Sequence, residues 1–279
     1  MYGLCRAILR PTGRSVEGRR LIELGWQWLV LGAVIVFAAG VVRGLAGFGF
    51  SAVCVAGLSL FVPPAQVVPP IFILEVFASI SMLRSALRDV DWRWLSWLAL
   101  GNVVCVPIGV ALLAVVPETT LRLLIGSLLL VAAALMRSGV RFALQPTAGV
   151  RLATGLVSGF ANGVAAIGGI VVAMLLSTAQ VPAATLRATM VILLLLTDLY
   201  ALAWAGIVSA GGDSGSTLLN ADTLRTALWM TPAMLLGIWV GSRMFAVMSA
   251  EQFRRQVLNL LVVIALAVVV RGLFGLALH

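Results

Sequence analysis

Charge is scarce in this chain, and histidine is almost missing. Only 10% of its 279 residues are charged, whereas a soluble domain of that size carries about 25%. The one histidine, His279, is the last residue, and the ten acidic residues form no paired motif inside the apolar runs. An intramembrane protease or acyl transferase would want a Ser–His, His–Asp or metal cluster in its spans. The chain therefore reads as a non-enzyme. It carries no GxxxxGK[ST] phosphate loop, so it does not hydrolyse ATP itself, and no cofactor is expected. Cys5, Cys54 and Cys105 show neither pairing nor metal spacing and read as small packing residues.

What the chain does have is apolar surface. Its residues are 62% hydrophobic and its mean hydropathy is +1.12. Runs near 20 residues long point to an all-α polytopic membrane protein rather than a barrel. The formal net charge of +9 comes from arginines in loops and termini. In a membrane protein this is first an orientation signal, and no nucleic-acid partner is expected. Residues 1–23 hold Arg6, Arg10, Arg14, Arg19 and Arg20. Such a leader fits organelle targeting or, more plainly, a solvated basic arm. No cleavable secretory signal is evident.

About eight hydrophobic segments follow, with boundaries at residues 24–139 for a first transmembrane half, 140–151 for a basic linker and 152–279 for a second half. The first segment, about Leu24 to Val62, is too long for one straight span at about 1.5 Å per residue. Gly40, Gly44, Gly47 and Gly49 break it, and Arg43 sits among them. Pro63, Pro64, Pro69 and Pro70 read as a short rigid connection into a second span ending near Leu87. Trp92, Trp94 and Trp97 read as an interfacial anchor before the third span, about Leu95 to Val116. Pro117-Glu118-Thr119 opens the fourth, about Leu121 to Met136. The fifth, about Leu152 to Leu176, is again glycine-broken by Gly155, Gly159, Gly163, Gly168 and Gly169. The sixth to eighth cover about 184–208, 224–247 and 257–278.

The halves resemble one another. GVVRGLA (Gly40–Ala46) and GLVSGFA (Gly155–Ala161) share Gly, Val, Gly and Ala in register, and Ala65-Gln66-Val67 recurs as Ala179-Gln180-Val181. Gly109 followed by Pro117-Glu118-Thr119 parallels Gly241 followed by Ser249-Ala250-Glu251. Several such matches in order predict two homologous four-segment repeats with broken first helices. The connection holding Arg84, Arg88 and Arg93 is basic, but its counterpart with Asp213 and Asp222 is acidic. The two repeats are therefore expected in opposite orientation, with one broken segment per half re-entrant. Eight plain crossings is the alternative.

Glycine breaks create half-helix N-termini, whose dipole ends attract anions. Two occur at equivalent places, Gly44 to Phe50 and Asn162 to Gly169. The candidate substrate site is Arg43, Gly44, Gly47, Gly49, Ser51, Ser158, Asn162, Gly168, Gly169 and Arg187. Arg43 and Arg187 are intramembrane cations and default to function, against a structural, snorkelling role. Ser51, Ser158 and Asn162 are neutral donors or helix-packing groups. Glu75 and Asp198 are candidates for proton coupling, since burial penalises a charged carboxylate. The alternative is that they neutralise Arg43 or Arg187.

At these residues the chain resembles the TauE/SafE family of sulfite and organosulfonate exporters. The likeness runs from about Leu29 to Leu273 and rests on RGLAGFGFSAV (Arg43–Val53), the proline-rich turn, Asp91-Trp92-Arg93, Pro107-Ile108-Gly109 and the repeat in the second half. The second glycine motif, NGVAAIGGIVVAM, is poorer in Gly and Pro than is usual for the family. The resemblance implies a multi-pass permease of the bacterial inner membrane, made of two homologous halves and moving sulfite, sulfoacetate or another small sulfur-containing anion; protons are a candidate partner through Glu75 and Asp198 alone. Two other readings compete: an uptake permease for another small organic anion, and a non-transporting membrane assembly protein. The intramembrane arginine and the doubled breaks favour transport, because a scaffold needs neither.

Overall fold

The computed structural model describes residues 26–137, 147–178, 182–211 and 218–244. The basic arm, most of the linker, the loop from Gly212 to Ser216, the Ala179-Gln180-Val181 repeat match and the eighth segment lie outside the described residues. Among those described, every regular element is helical: α1 Trp26–Ala46, α2 Phe50–Leu58, α3 Pro64–Ala86, α4 Trp92–Val115, α5 Glu118–Arg137, α6 Ala148–Ala165, α7 Gly168–Thr178, α8 Ala183–Gly211 and α9 Ala221–Met244. Three stretches within them are long and apolar enough to cross a bilayer, Pro64–Ala86, Trp92–Val115 and Ala184–Ser209.

Local chemistry sets the helix ends. The Asp91 carboxylate accepts the Arg93 and Trp94 N–H groups at 3.0 and 3.1 Å and caps α4. Thr147 caps α6 by accepting from Val150 N at 3.3 Å. The prolines depart from expectation. Pro64 opens α3 at its first turn, where a missing N–H costs nothing, and Pro69 and Pro70 lie inside the helix instead of in a connection. The carbonyls of Ala65 and Gln66 lose their partners there, and both residues lie near the helix start, Gln66 exposed.

Both interrupted segments turn back on themselves. A methyl added at Gly49 would meet Val42 at 3.2 Å, and one at Gly57 would meet Ile35 at 3.0 Å. Thus α2 runs antiparallel to α1, back toward its start. Likewise Gly168, at the start of α7, lies beside Asn162 and Ser158, the latter well over a turn before the end of α6. Two other pairs run parallel. On α1 and α9, Gly40 meets Gly237 and Gly44 meets Ile238 and Ser242; on α4 and α6, Gly101 meets Gly155 and Gly109 meets Gly163. At these crossings a methyl would have no room: one at Gly109 would sit 2.8 Å from Gly163 Cα, and one at Gly237 would sit 3.0 Å from Gly40 Cα. Small residues let backbones meet where there is no water to drive association. Gly40, Gly155, Gly159 and Gly163 therefore serve helix crossing inside intact helices. The breaks fall later, at 47–49 and 166–167.

In the middle, α3 and α8 pack antiparallel, the end of α3 meeting the start of α8 across a shared cleft lined by Met82, Asp89, Ala184 and Val191 among others. The buried core fills the space around this pair. Large apolar side chains point outward from the flanking helices, including Val103, Val104 and Ile108 on α4 and Leu228, Trp229, Leu236 and Trp239 on α9. Their spacing gives each helix an outward apolar stripe suited to lipid. Trp92 is exposed as an interfacial anchor would be, but Trp94 is buried, with the Arg151 guanidinium 4.3 Å over its ring.

Candidate functional site

The first break is built on left-handed backbone. Gly47 has φ 79° and Gly49 has φ 89°, a region where a Cβ is strained. Gly47 N–H donates to Arg43 O at 2.8 Å and closes the last turn of α1. That turn carries Arg43, which is fully buried. Its Nη2 donates to Ser79 Oγ at 2.7 Å, and its Nη1 lies 3.0 Å from Glu75 Oε2. The other carboxylate oxygen, Glu75 Oε1, accepts the Ser51 N–H at 3.2 Å. Ser51 is the second residue of α2, so the Glu75 carboxylate bridges the arginine and a free helix N-terminus. Two charges taken this far from water persist only when paired, as these are. Arg43 Nε and Nη1 and Glu75 Oε2 nonetheless make no hydrogen bond.

At the second break the central polar side chain is Asn162, buried in the last turn of α6. Ala166, at φ 57°, ends α6 and donates its N–H to Asn162 O at 2.7 Å. The Asn162 side chain works in both directions: Oδ1 accepts the Gly168 N–H at 3.3 Å, and Nδ2 donates to Asp198 Oδ1 at 2.8 Å. Ser158 Oγ donates to Gly168 O at 3.0 Å. Asp198 is fully buried, and its Oδ2 has no hydrogen-bond partner. Glu75 on α3 and Asp198 on α8 thus each hold one broken segment to the central helix pair.

A cleft of about 140 Å³ opens between the end of α3 and the start of α8, lined by Ser85, Asp89, Arg187 and Val191 among others. Arg187 forms its inner wall. Its Nη2 donates to Gly44 O at 2.7 Å, the last-turn carbonyl that also lies 3.5 Å from Ser242 Oγ. Its aliphatic stem packs on Gly47, where an added methyl would meet Arg187 Cγ at 2.6 Å. The cleft thus presents a cation tied to the last turn of α1, at the residue next to Arg43.

The structure brings together most of the residues singled out above. Arg43, Gly47, Gly49, Ser51 and Glu75 surround the first break; Ser158, Asn162, Gly168 and Asp198 surround the second. Gly44 contributes its carbonyl, while its Cα face is closed by α9. Gly169 faces Leu194 and Met190 and meets no polar group there. Glu75 neutralises Arg43, the alternative role allowed for it. Ser79 escaped notice in the sequence, although it stands four residues after Glu75 and hence on the same face of α3. Thr189, which accepts the Asp91 N–H at 3.1 Å, also escaped. It joins the start of α4 to α8 and gave no signal in the sequence.

Among the described residues no group of three or more His, Cys, Asp and Glu could hold a metal ion. Comparison with known proteins gives one match. The family model described as Sulfite exporter TauE/SafE covers residues 32–268, and the chain belongs to that family. No curated protein and no solved structure matches it.

Proposed function

As a member of the sulfite exporter TauE/SafE family, the chain is read as a membrane transporter, and we propose that it exports a small anion such as sulfite or an organosulfonate across the bacterial inner membrane. The observation that carries this reading is Arg43, fully buried at a helix break and paired with Glu75, whose carboxylate also accepts an N–H from the first turn of a second helix. A charged residue buried within an apolar helix bundle is a functional candidate by default. An oxyanion would find the guanidinium, the Ser79 hydroxyl and the Ser51 N–H within one small volume, and dipole and charge both favour it there. Asn162, Ser158 and the first turn of α7 supply neutral donors from the other side.

We further propose that the two halves are inverted copies, each a re-entrant hairpin followed by three crossings. Support comes from the pairing of helices: α1 runs parallel to α9, α4 runs parallel to α6, and α3 and α8 pack antiparallel between them. A pseudo-two-fold axis between α3 and α8 would exchange these pairs. Arg84, Arg88, Arg93, Arg151 and Arg243 then all fall on one side, which is the cytoplasmic side by the charge rule. The cleft at Arg187 opens on that side. Substrate enters there, passes Arg187 and meets Arg43; rocking of one hairpin unit against the other opens the opposite side.

The test is flux of labelled sulfite, sulfate and small sulfonates in proteoliposomes of defined orientation, with and without a pH gradient. Saturable outward movement of at least one of them supports the proposal. Movement of none supports an assembly role, and inward movement alone supports an uptake permease.

A further inference from the structure

We propose that the Glu75 carboxylate is a tethered occupant of the anion seat, and that a substrate anion binds only as this carboxylate leaves Arg43 and the α2 N-terminus and takes up one proton. The proposal rests on the transporter reading and deepens it by naming what the substrate must displace.

Both oxygens of Glu75 are committed to groups that an oxyanion would use. One lies 3.0 Å from Arg43 Nη1 and the other accepts the Ser51 N–H at 3.2 Å. The Ser79 hydroxyl, 2.7 Å from Arg43 Nη2, completes the set. A carboxylate is a planar two-oxygen anion; a sulfite or sulfonate presents the same paired oxygens. The first break therefore already holds an anion, supplied by the chain itself.

Charge decides whether the two can share the seat. Arg43 and Glu75 sum to zero. Adding a free anion beside an ionised Glu75 would put like charges about 4 Å apart, which at an effective dielectric near 20 weakens binding about a thousandfold. Asp198, fully buried on α8, is a second acidic group in the same core. Among the described residues the ion pair of Glu75 is with Arg43; Cys54 is buried on α2, Arg187 on α8 donates to Gly44 O, and Arg122 on α5 pairs with Glu118 at 2.6 Å. Arg151 on α6 lies over Trp94, and Arg93, Asp222, Arg225 and Arg243 stand in the end turns of α4 and α9. One cationic charge thus matches one anionic charge. When the anion arrives, Glu75 gains a proton from the cytoplasmic water and becomes a neutral acid; when the anion leaves, that proton leaves with it. The loaded and empty states carry the same net charge. One anion and one proton travel together, and the direction follows their combined gradients.

The test uses the full-length chain in nanodiscs and methanesulfonate, which keeps a single negative charge throughout the working range. In the wild type the apparent Kd should rise about tenfold per pH unit once Glu75 competes as an anion. Glu75→Gln should bind at least about tenfold tighter near pH 8 and show a flat pH profile. The double variant Arg43→Gln/Glu75→Gln removes both charges together and should fold but lose binding. Glu75→Gln strands Arg43, so a second measurement on the wild type guards against misfolding. Anion flux at a potassium–valinomycin voltage should be voltage-independent but should respond to a pH gradient. Glu75→Gln binding no tighter than wild type with the pH slope retained, or wild-type flux that carries one net charge, overturns the proposal and leaves anion transport standing. Absence of binding and flux for every anion, in wild type and variants alike, overturns the transporter reading with it.

Discussion

Replacing Gly109 by alanine should loosen the α4–α6 crossing, and the geometry gives the size of the effect. The new methyl would lie 2.7 Å from Phe160 O and 2.8 Å from both Gly163 Cα and Val164 N. Ordinary contact begins near 3.4 Å, so the helices must part by roughly 0.6 Å, all of it against backbone. Overpacking of this kind costs about 1–3 kcal/mol. The control is Gly149→Ala in the first turn of α6, where an added methyl meets nothing within 4 Å. Both substitutions gain the same helix propensity, about 0.5–1 kcal/mol in water, so their difference isolates the crossing. Unfolding in graded SDS, followed by tryptophan fluorescence, should place Gly109→Ala about 1–3 kcal/mol below Gly149→Ala. Anion flux should fall in the same variant, because Gly163 adjoins Asn162, and a displaced α6 would stretch the 2.8 Å bond to Asp198. Equal stabilities for the two variants would refute the claim that these glycines are there to let backbones touch.

Three further outcomes are expected. Gly47→Ala places a Cβ at φ 79° and against Arg187 Cγ at 2.6 Å; the strain alone is about 1–2 kcal/mol, and flux should drop more than fold stability when both are measured on one preparation. Arg151→Leu removes the cation 4.3 Å above Trp94 and should cost about 0.5–2 kcal/mol, together with a shift in tryptophan emission; no change in either would mean the contact is incidental. A reporter fused between Gly211 and Ser216 should be found outside the cytoplasm, and a cytoplasmic signal would reject the inverted arrangement.

Much of the architecture could be read from residue patterns, and the exceptions have physical causes. The long apolar runs and the glycine clusters marked the helices and the neighbourhood of both interruptions, since backbone freedom is needed only where a helix ends. Glycine composition alone could not separate its two uses. Gly47 and Gly49 take left-handed φ, whereas Gly40, Gly109 and Gly163 lie in regular helix and face another backbone, a fact fixed by partners distant in sequence. The second turn-back falls on Ala166, a residue with no local preference for positive φ, held there by the hydrogen bonds around Asn162. Pro69 and Pro70 read as breakers because propensity speaks against them, yet α3 continues through them in the packed interior. Burial of Arg43 was legible as an arginine inside an apolar run; its partners were not, because Glu75 and Ser79 are more than thirty residues further along the chain and only the fold of α2 brings them into reach.

The most direct measurement is flux of labelled sulfite and methanesulfonate by Arg43→Gln beside the wild type, in proteoliposomes holding equal amounts of folded protein. An anion seat centred on this guanidinium predicts a loss of at least about a hundredfold, in line with removing a charge-assisted hydrogen-bonding group worth about 3 kcal/mol. Flux at the wild-type rate would contradict it and would require the anion to cross somewhere other than the first helix break.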